Sequence, residues 1–172
     1  MTPKRALQLL ATLGASPWLV RHHELVLEAA TQLCDRLRRD LGVAFDREQV
    51  LVGAALHDAG KVLHPEEMSQ PRHLHEGAGE HLLIEHAVPP TLARFCVTHA
   101  AWDRPDIAIE DLLVALADKL WKGKRHDDLE RRVVDVIASV LEREAWEVFE
   151  AVDSICEAIA ADGPARLARS VV

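Results

Sequence analysis

Two aspartates stand at the ends of runs too apolar to hold them unaided. Val50-Leu51-Val52-Gly53-Ala54-Ala55-Leu56 passes directly into His57-Asp58, and Leu112-Leu113-Val114-Ala115-Leu116-Ala117 into Asp118. Phe95-Cys96-Val97 leads in the same way into Thr98-His99. Drawing a carboxylate into such surroundings costs on the order of several kcal/mol unless a cation compensates it. A metal ion is the most economical cation for two such carboxylates with imidazoles beside them. Imidazole and carboxylate together suit iron, manganese, cobalt, nickel or zinc. Ten histidines are present, and eight of them fall between His22 and His86, so imidazole is in good supply. Taken singly, each acid also has a plain structural reading. Asp58 can close a helix and face water, and Asp118 can pair with Lys119 or Lys122. Cysteine chemistry is excluded: Cys34, Cys96 and Cys156 lie far apart with no CxxC pair, which argues against a disulfide framework or a cysteine zinc site. They read as small core residues of a reducing compartment. HExxH is absent, since His75-Glu76 meets its next histidine only at His81, and so is the H-x-E…P-C-x-x-C deaminase pattern.

The elements that must position these residues are helices. The 172 residues are rich in alanine (25) and leucine (24) and only 4% aromatic, a mixture that favours helix over sheet. A short first helix is expected over 3–13, stopping at Gly14. Ser16-Pro17 supplies a cap and a proline at the first helical position of a second helix reaching 41. Asp46 and Gln49 make a capping box for a third, ending near Gly60. Residues 62–74 read as a loop, 75–87 as a fourth helix, and 90–101 as a fifth opened by Pro89-Pro90. A sixth runs from Asp106 through Trp121. From Asp127 to Ala161 there is neither Gly nor Pro, and Val133, Ile137, Leu141, Val148, Val152, Ile155 and Ile159 form a helical stripe. Unbroken, that segment would be about 50 Å long. It must therefore kink, split or pack on a second copy. The expectation is one all-α domain of about six to eight helices over 1–172, with a core at 17–125 and a helical extension at 126–162.

These residues resemble the HD-domain metal-dependent phosphohydrolases, an all-α superfamily with the order His…His-Asp…Asp. Here the order runs Arg21-His22, His57-Asp58-Ala59-Gly60-Lys61 and Ala117-Asp118-Lys119. The family spacing of an apolar residue four on and alanine eight on selects His22, through Val26 and Ala30; the hydrophobic stripe alone leaves His23 as the fallback. Dinuclear relatives add two histidines. His75-Glu76-Gly77-Ala78-Gly79 fits the helix opened by H-x-x-x-G, with His81 as its substitute if the register differs. His99-Ala100-Ala101-Trp102 fits the second. The set of six is similar to the group that includes bacterial symmetrical dinucleoside tetraphosphatases. That resemblance implies two divalent ions bridged by Asp58, with His22, His57 and Asp118 on one and His75 and His99 on the other. His81 and His86 read as groups that support the ligands from behind, alternative ligands or surface residues, His64 and His73 as residues at the pocket mouth or idle, and His126 as a helix cap.

The function so implied is hydrolysis of a phosphoester or phosphoanhydride, in a nucleotide or related small molecule, by a hydroxide held between the metals. The charges leave the centre net positive, and two ions about 3.5–4 Å apart activate the nucleophile and stabilise the leaving oxygen together. Asp58 and Lys61 are the candidate catalytic residues. Lys61, Lys122 and Arg125 are the candidate phosphate contacts, although Lys61 also fits a helix C-terminal lysine and the Lys122-Gly123-Lys124-Arg125 cluster a solvated turn. A mixed-valent di-iron oxygenase of the same fold is the alternative, and a nucleotide-sensing module without catalysis is a third reading. A cyclic-di-GMP phosphodiesterase of the HD-GYP kind is disfavoured, because its signature needs a tyrosine and the chain has none. With 20 basic against 28 acidic residues the formal charge is −8, which argues against duplex nucleic acid or an anionic membrane as partner. The expected partner is a small phosphorylated substrate, with a homodimer through the C-terminal helix as a further possibility and the cytoplasm as the setting.

Overall fold

The computed structural model describes residues 1–70 and 72–171. Every regular element among them is helical, and seven helices have ten residues or more. They are α1 (Pro3–Thr12), α2 (Pro17–Leu41), α3 (Arg47–Leu56), α4 (Leu74–Glu85), the short α5 (Pro90–Ala93) and α6 (Phe95–Thr98), α7 (Ile109–Leu120), α8 (Asp127–Val140), α9 (Ala145–Ala161) and the short α10 (Gly163–Ala168). Two 3-10 turns, Ala59–Val62 and Pro65–Met68, lie between α3 and α4.

The long α2 is the spine. Ser16 accepts the N–H of Leu19 at its start and Gly42, left-handed at φ 68°, ends it, the termini the sequence signals. Its apolar stripe, including Val26, Ala30, Leu33 and Leu37, packs into a core shared with α3, α7, α8 and α9. A smaller cluster around Leu10, Leu56, Leu83 and Cys96 joins α1, α3 and the α4–α6 region. Full burial of each such side chain contributes roughly 1.5–3 kcal/mol, so α3, which faces both cores, and α7, within the larger one, are held firmly, with His57-Asp58 and Asp118 at their C-terminal ends.

Three expected elements differ. The third helix stops at Leu56 because the chain turns at His57-Asp58 into the 3-10 turn: His57 keeps the helical bond to the Gly53 carbonyl, and Asp58 leaves the helical register at φ −105° and ψ 20°. The fifth is broken at Arg94 into α5 and α6 and ends at Thr98. The 127–161 segment splits into an α8–α9 hairpin over 141–144. Glu142 adopts φ 53° there, and a non-glycine residue in that region costs on the order of 1–3 kcal/mol. Val133, Ile137, Val148, Val152 and Ile155 are buried together in compensation. The hairpin thus meets the length constraint within one chain. It is fastened to α2 by Arg166, whose fully buried guanidinium contacts Glu28, Gln32 and the Ile159 carbonyl. The capping box at Asp46 is half formed. Asp46 accepts the Gln49 N–H, but its own N–H goes to Glu110 of α7. No helix among the described residues is long and apolar enough to cross a membrane.

Candidate metal centre

Four helix ends and one turn bring six side chains to one buried point. His22 comes from the first turns of α2, His57 and Asp58 from the turn after α3, His75 from the start of α4, His99 from the residue after α6, and Asp118 from the last turn of α7. All six are at most 9% exposed.

The carboxylate of Asp58 lies in the middle and divides its two oxygens. Oδ2 is 3.2 Å from His22 Nε2 and 3.6 Å from His57 Nε2, while Oδ1 is 3.1 Å from His75 Nε2 and 3.6 Å from His99 Nε2. Asp118 Oδ1 completes the first half, 3.5 Å from His57 Nε2. Two groups of possible ligands result, His22–His57–Asp118 and Asp58–His75–His99, each with its donor atoms within 4.8 Å of one another. A divalent ion with ligand bonds near 2.0–2.2 Å sets its donors about 3.0–3.5 Å apart. The distances here agree with that spacing.

The hydrogen bonds leave lone pairs pointing inward. His57 Nδ1 bonds to the Ala54 carbonyl at 3.0 Å and His99 Nδ1 to the Phe95 carbonyl at 2.9 Å. Each Nδ1 therefore carries the proton, and each Nε2 is a free acceptor or ligand. His75 Nδ1 bonds to Glu67 at 2.6 Å. Its Nε2 and Asp58 Oδ1 are both buried without a hydrogen-bond partner, although they lie 3.1 Å apart. His22 Nε2 and His57 Nε2 are likewise only 3.4 Å apart. Acceptors crowded at such distances without protons between them are the donor set a cation requires, so the residues fit a divalent metal.

Electrostatics prepares the groups for that role. Burial opposes ionisation of Asp58, but His57, His22, His75 and His99 outweigh it and hold the carboxyl well below the usual carboxylate range. Burial is likewise outweighed at Asp118, by His57 and by Lys119 and Lys122. Burial lowers His22 and, aided by His57, pushes His99 down to about 4. Both rings are thus neutral, as ligands must be, at pH 7. His75 moves the other way: burial works against its charge, but the neighbouring carboxylates of Asp58 and Glu67 raise it.

The centre opens on a pocket of about 330 Å³, at the small end of ligand cavities. Lys61, Arg72, Lys119 and Lys122 line it, with Trp18 and Met68 at its apolar side. Lys61 Nζ sits 2.5 Å from Asp58 Oδ2 and Lys119 Nζ 2.9 Å from Asp118 Oδ2.

Of the sequence-derived candidates, His22, His57, Asp58, His75, His99 and Asp118 converge, and Lys61 and Lys122 line the pocket. Arg125 does not. Its guanidinium pairs with Glu130 and Asp153 beside a separate depression on α8 and α9, because Gly123 (φ 79°) turns the chain away after Lys122. The phosphate role expected for Arg125 is therefore corrected. His23 turns away from the Asp58 carboxylate, packing on His57 with Nδ1 at the Ala54 carbonyl. The His81 side chain is 83% exposed. His73 lines the pocket mouth, His86 is exposed at the end of α4, and His126 caps α8. Sequence reasoning missed Trp18, Arg72 and Glu67, and named Lys119 only as a partner for Asp118. Trp18 precedes His22 by four residues, which on a helix places it on the same face, and that signal was available. Glu67 had none, because a loop sets its relation to His75.

The family model of the HD domain matches residues 19–123, more than half of the chain. The chain belongs to the HD-domain family. This HD domain spans every one of the six converging residues, and the family is in general one of metal-dependent hydrolases. No curated protein and no solved structure gives a significant match.

Proposed function

We propose that this HD-domain protein is a metal-dependent phosphohydrolase that holds two divalent ions and cleaves a nucleotide or related small phosphoester. One observation carries the reading: a buried hexad centred on Asp58 opens on a pocket rimmed by four cationic side chains. Asp58, Glu76 and Asp118 share the lining with these cations, so bound divalent ions would tip its field toward positive, and such a field concentrates an anionic substrate. The overall charge of −8 makes this local positive rim the more specific. Trp18, 43% exposed at the rim and stacked over His22 at 6.5 Å, offers a flat apolar face for a base.

His22, His57 and Asp118 would hold one ion and His75 and His99 the other, with Asp58 between them. Bound divalent ions supply an acidified water and Lewis-acid charge stabilisation. The chain's own part is orientation and charge. The Ala54 and Phe95 carbonyls fix the His57 and His99 rings, and Lys61 presents an ammonium at the pocket floor for a phosphoryl oxygen. Lys119 and Lys122 hold the remaining anionic groups.

The test is to strip the protein with chelator, reload it with manganese, iron, cobalt, nickel or zinc, and assay a panel of nucleotides and small phosphoesters without oxygen. Release of phosphate or nucleoside monophosphate that requires the metal supports the reading. Full metal occupancy without turnover, or turnover only with iron and oxygen consumption, overturns it, the latter in favour of the oxygenase.

A further inference from the structure

The two halves of the hexad are unequal in charge. The His22–His57 half has a carboxylate of its own, Asp118, besides one oxygen of Asp58, whereas the His75–His99 half has only the other Asp58 oxygen. The second half has instead a carboxylate one step removed. Glu67, on the 3-10 turn Pro65–Met68, is buried and accepts the His75 ring at 2.6 Å through Oε2. The same carboxylate accepts the backbone N–H groups of His75 and Leu74, each at 3.2 Å. Those are donors of the first turn of α4, whose preceding residue His73 provides no side-chain cap. The contrast with His57 and His99 is chemical: their Nδ1 atoms are held by neutral carbonyls within three or four residues, while that of His75 is held by a charged group eight residues upstream.

We propose that Glu67 is the positioning residue of the second ion. Through His75 it locks the proton on Nδ1, aims Nε2 at Asp58 Oδ1 and lends the ring the negative charge that its half of the centre lacks. A carboxylate behind a ligating histidine raises the basicity of that ligand, and its removal typically lowers metal affinity about 10–100-fold. Because Glu67 is carried by the turn that also places Met68 at the pocket, filling of the second half orders residues 63–70, and disorder of that segment empties it. The metal ligands are thereby coupled to the substrate mouth. The inference rests on the dinuclear reading of the site.

The experiment is a metal titration of the chelated full chain with manganese or zinc, following stoichiometry and affinity, together with backbone hydrogen exchange over residues 63–70. In the unmodified protein the second equivalent slows exchange in that segment. Glu67→Ala weakens the second equivalent about 100-fold and loses the protection, while the first equivalent binds as before. Glu67→Gln keeps an acceptor for His75 but not its charge, and weakens the second equivalent about 10-fold. A helical spectrum like that of the unmodified chain shows that the variants fold. Two equivalents bound with unchanged affinity in both variants overturn the role of Glu67 and leave the dinuclear reading standing. A single equivalent in the unmodified chain, whichever metal is supplied, overturns both.

Discussion

Gly60→Ala is the sharpest test of how the second half of the centre is positioned. Gly60 follows the His57-Asp58 turn by two residues and lies against the first turns of α4. A Cβ on it would stand 1.8 Å from the His75 carbonyl oxygen and 2.6 Å from the Gly79 nitrogen. Both are backbone atoms, so no side-chain rotation relieves the clash. Gly79 in turn sits against the Gly60 backbone, which gives a physical reason for glycine four residues after His75. Reaching ordinary contact near 3.4 Å requires α4 to withdraw by about 1.6 Å. His75 Nε2, now 3.1 Å from Asp58 Oδ1, would then lie well beyond the separation of two donors on one ion. Overpacking of this kind costs roughly 1–3 kcal/mol, a fall in Tm of roughly 2–12 °C for a chain of this length. Misplacement by an ångström costs about 100-fold in rate. The expected result is a folded protein that keeps one metal equivalent, loses the second and turns over at least 100-fold more slowly. Elemental analysis, thermal melting and the phosphohydrolase assay read these out. Two tightly bound equivalents with unreduced activity would refute the argument that the Gly60–Gly79 contact places His75.

Asp58→Asn, close to isosteric, should remove both ions and all turnover while leaving the helical spectrum intact; one retained ion would show that Asp58 does not serve both halves. The metal-free chain should be acid-sensitive. Burial and His57 hold His99 at about 4, against 6.5 when unfolded, so the unfolded chain takes up this proton first as pH falls. Stability is full above about pH 6.5 and declines toward pH 4, by as much as roughly 3 kcal/mol at 1.36 kcal/mol per unit. His75, raised in the folded state, works in the opposite sense. Melts from pH 7 to 4.5 should therefore show a smaller decline for His99→Gln, and an equal decline would assign the acid loss elsewhere. Lys122→Ala should raise KM for an anionic substrate about tenfold. Arg125→Ala should leave KM within about twofold while costing about 1–3 kcal/mol of stability, since it strands the nearly buried Glu130. An equal rise in KM for both variants would restore Arg125 to the pocket.

What local pattern encodes was readable in the sequence. Ser16-Pro17 and Gly42 bound α2 because caps and proline act within a turn, and the all-helical class follows from Ala and Leu content with stripes of period 3.6. Asp58, His99 and Asp118 announced themselves as polar groups terminating apolar runs, a conflict that burial must resolve with a partner. The 35-residue stretch without Gly or Pro was evidently too long for one helix, but the site of its break was not readable. Glu142 takes a left-handed conformation that its type does not favour, and only the packing of α8 on α9 compensates.

Tertiary structure decided everything that depends on distance between segments remote in sequence. It separated His22 from His23, adjacent residues whose side chains diverge by a helical step of about 100°, because α3 and α7 approach α2 on one side only. It divided the two oxygens of Asp58 between two sets of histidines, and it turned Arg125 toward Glu130 and Asp153. It also brought Glu67 behind His75. The physical reason is common to all four: propensity and capping act over one turn, whereas ligand convergence and charge pairing act through space and exist only once the cores have packed.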